Sequence, residues 1–86
     1  MMLPLMGQEA TYMNGSQLNQ NALGQNISRM RREQGWSQKQ LAAKALLSES
    51  HLSRLERGVC GMSVSTFFAL CRALGCTPGE LLQGAE

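Results

Sequence analysis

Apolar residues recur at helical spacing along most of the chain, broken by short polar or glycine-bearing joints. Leu23, Ile27 and Met30 repeat at i, i+4 and i+7 and predict a first helix over residues 23–34. Gly24 lies inside that helix and weakens it by about 1 kcal/mol relative to alanine; Gly35 is placed to end it as a C′ residue. Ser37, with Gln40 three residues on, makes a capping box, and Leu41, Ala42 and Ala45 give a second helix over residues 38–45 one apolar face. Ser48 is a further N-cap, Leu52 and Leu55 mark a third helix over residues 49–57, and Gly58 can close it in a left-handed conformation. Ser63 should cap a fourth helix that runs to Leu74, with Gly75 closing it. Its Val64, Phe67, Phe68, Leu70, Cys71 and Leu74 are more apolar positions than one buried stripe needs. Either two neighbours pack on it, or one side is an oligomer surface. Thr77-Pro78-Gly79-Glu80 then combines a Thr cap, Pro at N1 and Glu at N3 ahead of Leu81 and Leu82, which close the core or join a partner. The pattern is all-α.

Residues 37–58 hold two short helices joined by a tight turn, the layout in which a second helix enters a DNA major groove. Gly35-Trp36-Ser37-Gln38, Gln40-Leu41-Ala42, Ser48 and Ser53-Arg54-Leu55-Glu56-Arg57-Gly58 stand in the order and spacing of a known family, as do Leu70, Ala73-Leu74-Gly75, Thr77-Pro78 and Leu81-Leu82. The chain resembles the Cro/phage-repressor type (xenobiotic-response-element family) of helix-turn-helix DNA-binding domain over residues 22–83. The resemblance implies a compact lambda-repressor-like domain of about five helices, here over residues 21–84, with residues 1–20 as a flexible N-terminal arm. The family usually has a glycine in the turn where this chain has Leu46. Either Leu46 sits at positive φ, strained by about 1 kcal/mol or more, or the turn is built differently.

Base edges come within reach of the first turn of such a second helix. Ser48, Glu49, Ser50 and Ser53 stand there, with Arg54 one turn along. Arg54 can pair bidentately with guanine O6 and N7, Glu49 can accept from cytosine N4, and the serines allow close approach. The alternative is that Glu49 and Arg54 only decorate a solvated face. The resemblance implies a phosphate contact at Gln38 that also braces the recognition helix; Lys39 and Arg57 are further phosphate candidates. Lys44 is either another or plain surface. His51 either touches the DNA backbone or is a structural histidine. Arg31 and Glu56 occupy, by resemblance, the positions of an ion pair that ties the first helix to the recognition helix. Trp36 is expected to plug the core.

One short helix reads few base pairs, so a homodimer on a palindromic operator is expected. Its interface would come from the loop after the motif (Val59, Met62) and the C-terminal helix (Cys76, Leu81, Leu82). The expected function is a sequence-specific transcriptional regulator, a repressor. Two other readings stand beside it. Gly35-Trp36 and Ser65-Thr66-Phe67-Phe68 also resemble small antitoxins of this domain type, in which the N-terminal arm would bind a protein partner. Glu49 and the mild charge would suit an interaction module that no longer binds DNA.

Composition narrows the choice. At 86 residues there is room for one small domain. The net charge is only +2, but all 8 Lys and Arg lie between Arg29 and Arg72, whereas Glu9 and Glu86 lie at the tails. The helical part therefore carries a mild basic bias suited to phosphate. Residues 1–20 mix Gly, Asn, Gln and Ser with scattered Met and no sustained period. No apolar run reaches the roughly 18 residues of a membrane span, and Met1 to Met6 lacks the basic start of a signal peptide. Cys60, Cys71 and Cys76 form no Cys-x-x-Cys pair, so neither a metal site nor a cofactor is expected. Cys71 and Cys76 read as small buried hydrophobes and Cys60 as the exposed, oxidisable one, in a reducing cytoplasm of bacterial or phage origin. With one His and no Asp, no nucleophile–base spacing suggests an enzyme.

Overall fold

Asn19 starts the first helix ahead of the apolar stripe: its side-chain Oδ1 accepts from the Ala22 N–H at 3.0 Å, which satisfies one of the orphan donors of the first turn. The computed structural model describes residues 12–13, by backbone, and 19–86. In chain order the elements are β1 (Tyr12–Met13), α1 (Gln20–Glu33), α2 (Gln38–Ala45), α3 (Glu49–Arg57), β2 (Met62–Ser63), α4 (Val64–Leu74) and α5 (Pro78–Leu82). Asn19 and Gln20, assigned to an arm by sequence, thus belong to the helical body. Apart from β1 the rest of residues 1–18 lies outside the described residues, and so does any partner contact through them.

The five helices are the expected ones, although α1 starts at Gln20 rather than Leu23, and the N-caps named for the other four are in place. Ser37 and Thr77 both close full capping boxes, Ser48 and Ser63 cap α3 and α4, and Gly35, Gly58 and Gly75 end helices at positive φ. Among the described residues, the addition to the all-helical expectation is an antiparallel ladder in which Tyr12 pairs with Ser63 and Met13 with Met62. Two residues per strand are too few for an alternating pattern to show in sequence.

Leu23 and Ile27 of α1, Leu41 of α2, Leu52 and Leu55 of α3, Leu70 of α4 and Leu81 of α5 are fully buried together. Each contributes about 1.5–3 kcal/mol. Leu47 turns inward onto this core as expected. Trp36 does not fill it: the indole is half-buried at the rim, with Lys44 Nζ 4.6 Å from the ring centroid. Cys60, expected to be exposed, is half-buried against the core. α4 packs against both α2 and α5, which accounts for most of its apolar positions, yet Phe68 and Val64 stay exposed at 43% and 36%.

Polar side chains of α1 finish other helices. Asn26 Nδ2 donates to the Leu81 and Gln83 carbonyls at 2.9 and 2.8 Å, and Gln34 Nε2 donates to the Leu74 carbonyl at 2.8 Å. Those carbonyls belong to the ends of α4 and α5, which have no intrahelical donor of their own. The Asn19 N–H likewise donates to the Ala85 carbonyl at 2.8 Å, tying the C-terminal tail to the start of α1.

Candidate nucleic-acid interface

α3 is positioned by three contacts that reach it from below. The first is a backbone approach. A Cβ on Gly24 would stand 2.5 Å from the carbonyl oxygens of both Leu55 and Glu56, so α1 lies directly on the last turn of α3. Gly24 costs helix propensity but permits this contact. Gly58 mirrors it: a Cβ there would meet the Asn21 Cα at 2.7 Å, and its φ of +73° favours glycine independently.

The second contact is ionic. Arg31 Nε and Nη2 donate to Glu56 Oε2 and Oε1 at 2.7 and 3.0 Å, both side chains being nearly inaccessible to solvent. Arg31 Nη1 donates to the Trp36 carbonyl at 2.9 Å. The hydrogen bond to Glu56, aided by its charge and opposed by burial, raises the Arg31 pKa above its ordinary value. Paired bidentately and hydrogen-bonded again at Trp36, the guanidinium is held in one place. Such a pair fixes the docking of two helices more than it adds net stability. The third contact comes from α2: Gln38 Nε2 donates to Glu56 Oε1 at 3.0 Å. Glu56 therefore ties α1, α2 and α3 together.

The turn between α2 and α3 keeps left-handed geometry without a glycine. Leu46 has φ 60° and ψ 41°, and its N–H donates to the carbonyls of Ala42 and Ala43. Its side chain is 92% exposed, so no burial offsets the backbone strain.

Of the sequence-predicted base readers on α3 and its cap, Ser48, Glu49, Ser50 and Arg54 are exposed. Ser48 is engaged as the N-cap, its Oγ accepting from the His51 N–H at 3.0 Å, which leaves the hydroxyl proton to donate outward. Glu49 and Ser50 follow on the exposed first turn. Arg54 Nη1 donates to Ser50 Oγ at 3.1 Å, one turn back on the same helix. Ser53 is half-buried, and its carbonyl accepts from Arg57 Nε at 3.3 Å. Arg57 and Lys39 are exposed. His51 is half-buried.

The residues expected at a dimer interface separate. Val59 is 63% exposed, and Cys76 and Leu82 are half-buried at the edge of the core. Met62 and Leu81 are buried in the chain's own core, Met62 at 7% exposure and Leu81 at 0%. Sequence reasoning missed Asn26 and Gln34, since a polar residue on a solvated helix carries no signal of the distant carbonyl it will meet. Gly24 did carry one: a glycine inside an otherwise regular helical period marks close backbone approach. Among the described residues no cluster of His, Cys, Asp or Glu could hold a metal ion, and no helix is long and apolar enough to cross a membrane.

Comparison with known proteins agrees with this geometry. A family model described as helix-turn-helix matches residues 27–81. An uncharacterized HTH-type transcriptional regulator, y4dJ, of Sinorhizobium fredii is 40% identical over 64 residues, 74% of this chain and 83% of that protein. The restriction-modification controller protein C.AhdI from Aeromonas hydrophila superposes with a TM-score of 0.71 at 32% identity, over 73% of this chain and 96% of that one. The P22 c2 repressor in complex with a synthetic operator gives a TM-score of 0.67 at 29% identity, over 72% and 94%. A buttressed α3, a capped two-helix motif and these matches together place the chain in the helix-turn-helix family of DNA-binding transcription regulators, of the phage repressor and Cro-like type.

Proposed function

We propose that this chain is a sequence-specific transcriptional repressor that binds a palindromic operator as a homodimer. The observation that carries the reading is the outer face of α3, where Glu49, Ser50 and Arg54 stand exposed on a helix whose other side is held by Gly24, Arg31 and Gln38. A short helix fixed this firmly is suited to reading bases by side-chain contact. Arg54 pairs with a guanine, Glu49 accepts from a cytosine, and Ser50 orients Arg54 through the hydrogen bond between them. Ser48 and Ser53 complete the face. Lys39 and Arg57 contact phosphates on either side. The second Nε2 hydrogen of Gln38 is left for a phosphate while the first holds Glu56. A solved relative, the P22 c2 repressor, is bound to a synthetic operator.

Two-fold pairing follows from the small footprint of one helix, with recognition helices about 34 Å apart. Residues 58–71 contain no charged side chain. Val59, Val64 and Phe68 are exposed within that stretch, and depletion of charge marks the centre of self-association surfaces. Half-buried Leu82 borders the same contact, with Met62 and Leu81 supporting it from inside.

The test is selection of duplexes from a random pool, followed by titration of the enriched sequence at several salt concentrations with Arg54→Ala alongside. Expected are a palindromic sequence, a steep fall in affinity with salt, and relaxed preference at one base pair per half-site in the variant, worth about 1–3 kcal/mol. An enriched site without symmetry, bound by one copy, would refute the dimer. No enrichment and no salt-dependent binding would refute operator recognition.

A further inference from the structure

We propose that Cys71 and Cys76 form a peroxide-sensitive dithiol, a modification site that closes to an intramolecular disulfide across the α4–α5 junction. The backbone builds the pair. Gly75 closes α4 at φ +72°, the Cys76 N–H donates to the Cys71 carbonyl at 3.0 Å, and the Gly75 N–H donates to the Arg72 carbonyl at 3.3 Å. These are the paired bonds of a Schellman turn, which brings the side chain after the glycine onto the last turn of the helix. That contact is ordinarily between two hydrophobes; here both positions are cysteines.

The two thiols differ in access. Cys71 is buried, and burial, reinforced by Cys76, pushes its pKa up to about 11. Cys76 is half-buried and lines an open cleft of about 360 Å³ with Arg29, Glu33, Gln34, Glu80 and Gln83. Burial raises its pKa as well. Cys76, the more accessible thiol, is the attacking sulfur and Cys71 the resolving one. The raised pKa values make the reaction slow, so the site answers sustained oxidant.

The oxidant is hydrogen peroxide or an organic hydroperoxide. The Cys76 thiolate attacks one peroxide oxygen; an S–O bond forms, the O–O bond breaks, and the departing oxygen takes a proton and leaves as water or an alcohol. The Cys71 sulfur then attacks the Cys76 sulfenic acid. An S–S bond forms, the S–O bond breaks, and hydroxide leaves with the Cys71 proton as water. Two thiols lose two electrons and the peroxide gains them.

The experiment exposes the full chain to hydrogen peroxide, blocks remaining thiols with iodoacetamide in denaturant, and maps tryptic peptides by mass and by fragmentation, because residues 58–72 carry both Cys60 and Cys71. Trypsin cuts after Arg72, between the two cysteines, so the disulfide appears as a linked peptide pair. Expected are that pair, two hydrogens lighter than the sum of its peptides with one cysteine alkylated, fragment ions that place the alkylation on Cys60, and reversal by dithiothreitol. A second variant, Cys71→Ser, should lose the link and accumulate a dimedone-trapped sulfenic acid at Cys76. Full alkylation of Cys71 and Cys76 after peroxide, a link to Cys60, or only intermolecular disulfides would overturn the proposal. The readout is covalent and does not depend on DNA binding.

Discussion

Replacing Leu46 by glycine should stabilise the protein, although it deletes a large apolar side chain. Leu46 sits at φ 60° and ψ 41°, where the Cβ of an L-residue crowds the backbone at a cost of about 1–2 kcal/mol. Glycine removes that crowding. Against it stands the extra backbone entropy that glycine loses on folding, about 0.5–1 kcal/mol relative to alanine. Lost burial adds almost nothing, because the side chain is 92% exposed. The balance favours the glycine variant by about 0.5–1 kcal/mol, which for a domain of this size raises the thermal midpoint by about 2–8 °C. Circular dichroism melts read the shift, and Leu46→Ala separates its causes. Alanine keeps the Cβ and the strain while removing the rest of the side chain, so its midpoint should stay within about 0.5 kcal/mol of the parent. A lower midpoint for Leu46→Gly, or an equal rise for Leu46→Ala, would refute the strain argument.

Other perturbations test the supports of α3. Glu56→Ala leaves Arg31 and Gln38 without their shared acceptor; denaturant unfolding should show a loss of about 3 kcal/mol, with DNA affinity falling as α3 loosens, and an unchanged melt would contradict the pairing. Gly24→Ala should destabilise by about 1–3 kcal/mol in urea despite gaining about 1 kcal/mol of helix propensity, because its Cβ would press on two backbone carbonyls. A more stable variant would mean that α1 can move away from α3 without cost.

Helix ends were the most legible feature, since capping is local chemistry. Ser37 with Gln40, Ser48, Ser63 and Thr77 with Glu80 each bond within three residues of themselves, so their types and spacing define the caps before any tertiary contact exists. The N-terminal boundary was less legible. Asn19 and Gln20 lie among polar residues without apolar period, and their place in α1 shows only when the Asn19 N–H meets the Ala85 carbonyl. In the candidate site, the exposed Glu49, Ser50 and Arg54 follow from α3 having one apolar side. The hydrogen bond between Ser50 and Arg54 depends on rotamers that spacing permits but does not choose.

The Arg31–Glu56 pair came from resemblance, and its third member, Gln38, was expected to brace α3 without a stated partner. Only the packed structure shows all three converging on one carboxylate. It also sorts the apolar residues near the C-terminus. Leu81 and Leu82 are adjacent and chemically alike, yet one is fully buried and the other half-exposed, because one helical step of about 100° separates their directions. Patterning, caps and turn residues, which act over three or four positions, were settled by the sequence itself: the helix order, the two-helix motif and the family. Which side chains meet across long separations was decided by tertiary structure. Asn26 on the end of α5, Gly24 under the carbonyls of α3 and Cys76 against Cys71 depend on how whole helices cross or turn, and no single residue type carries that information.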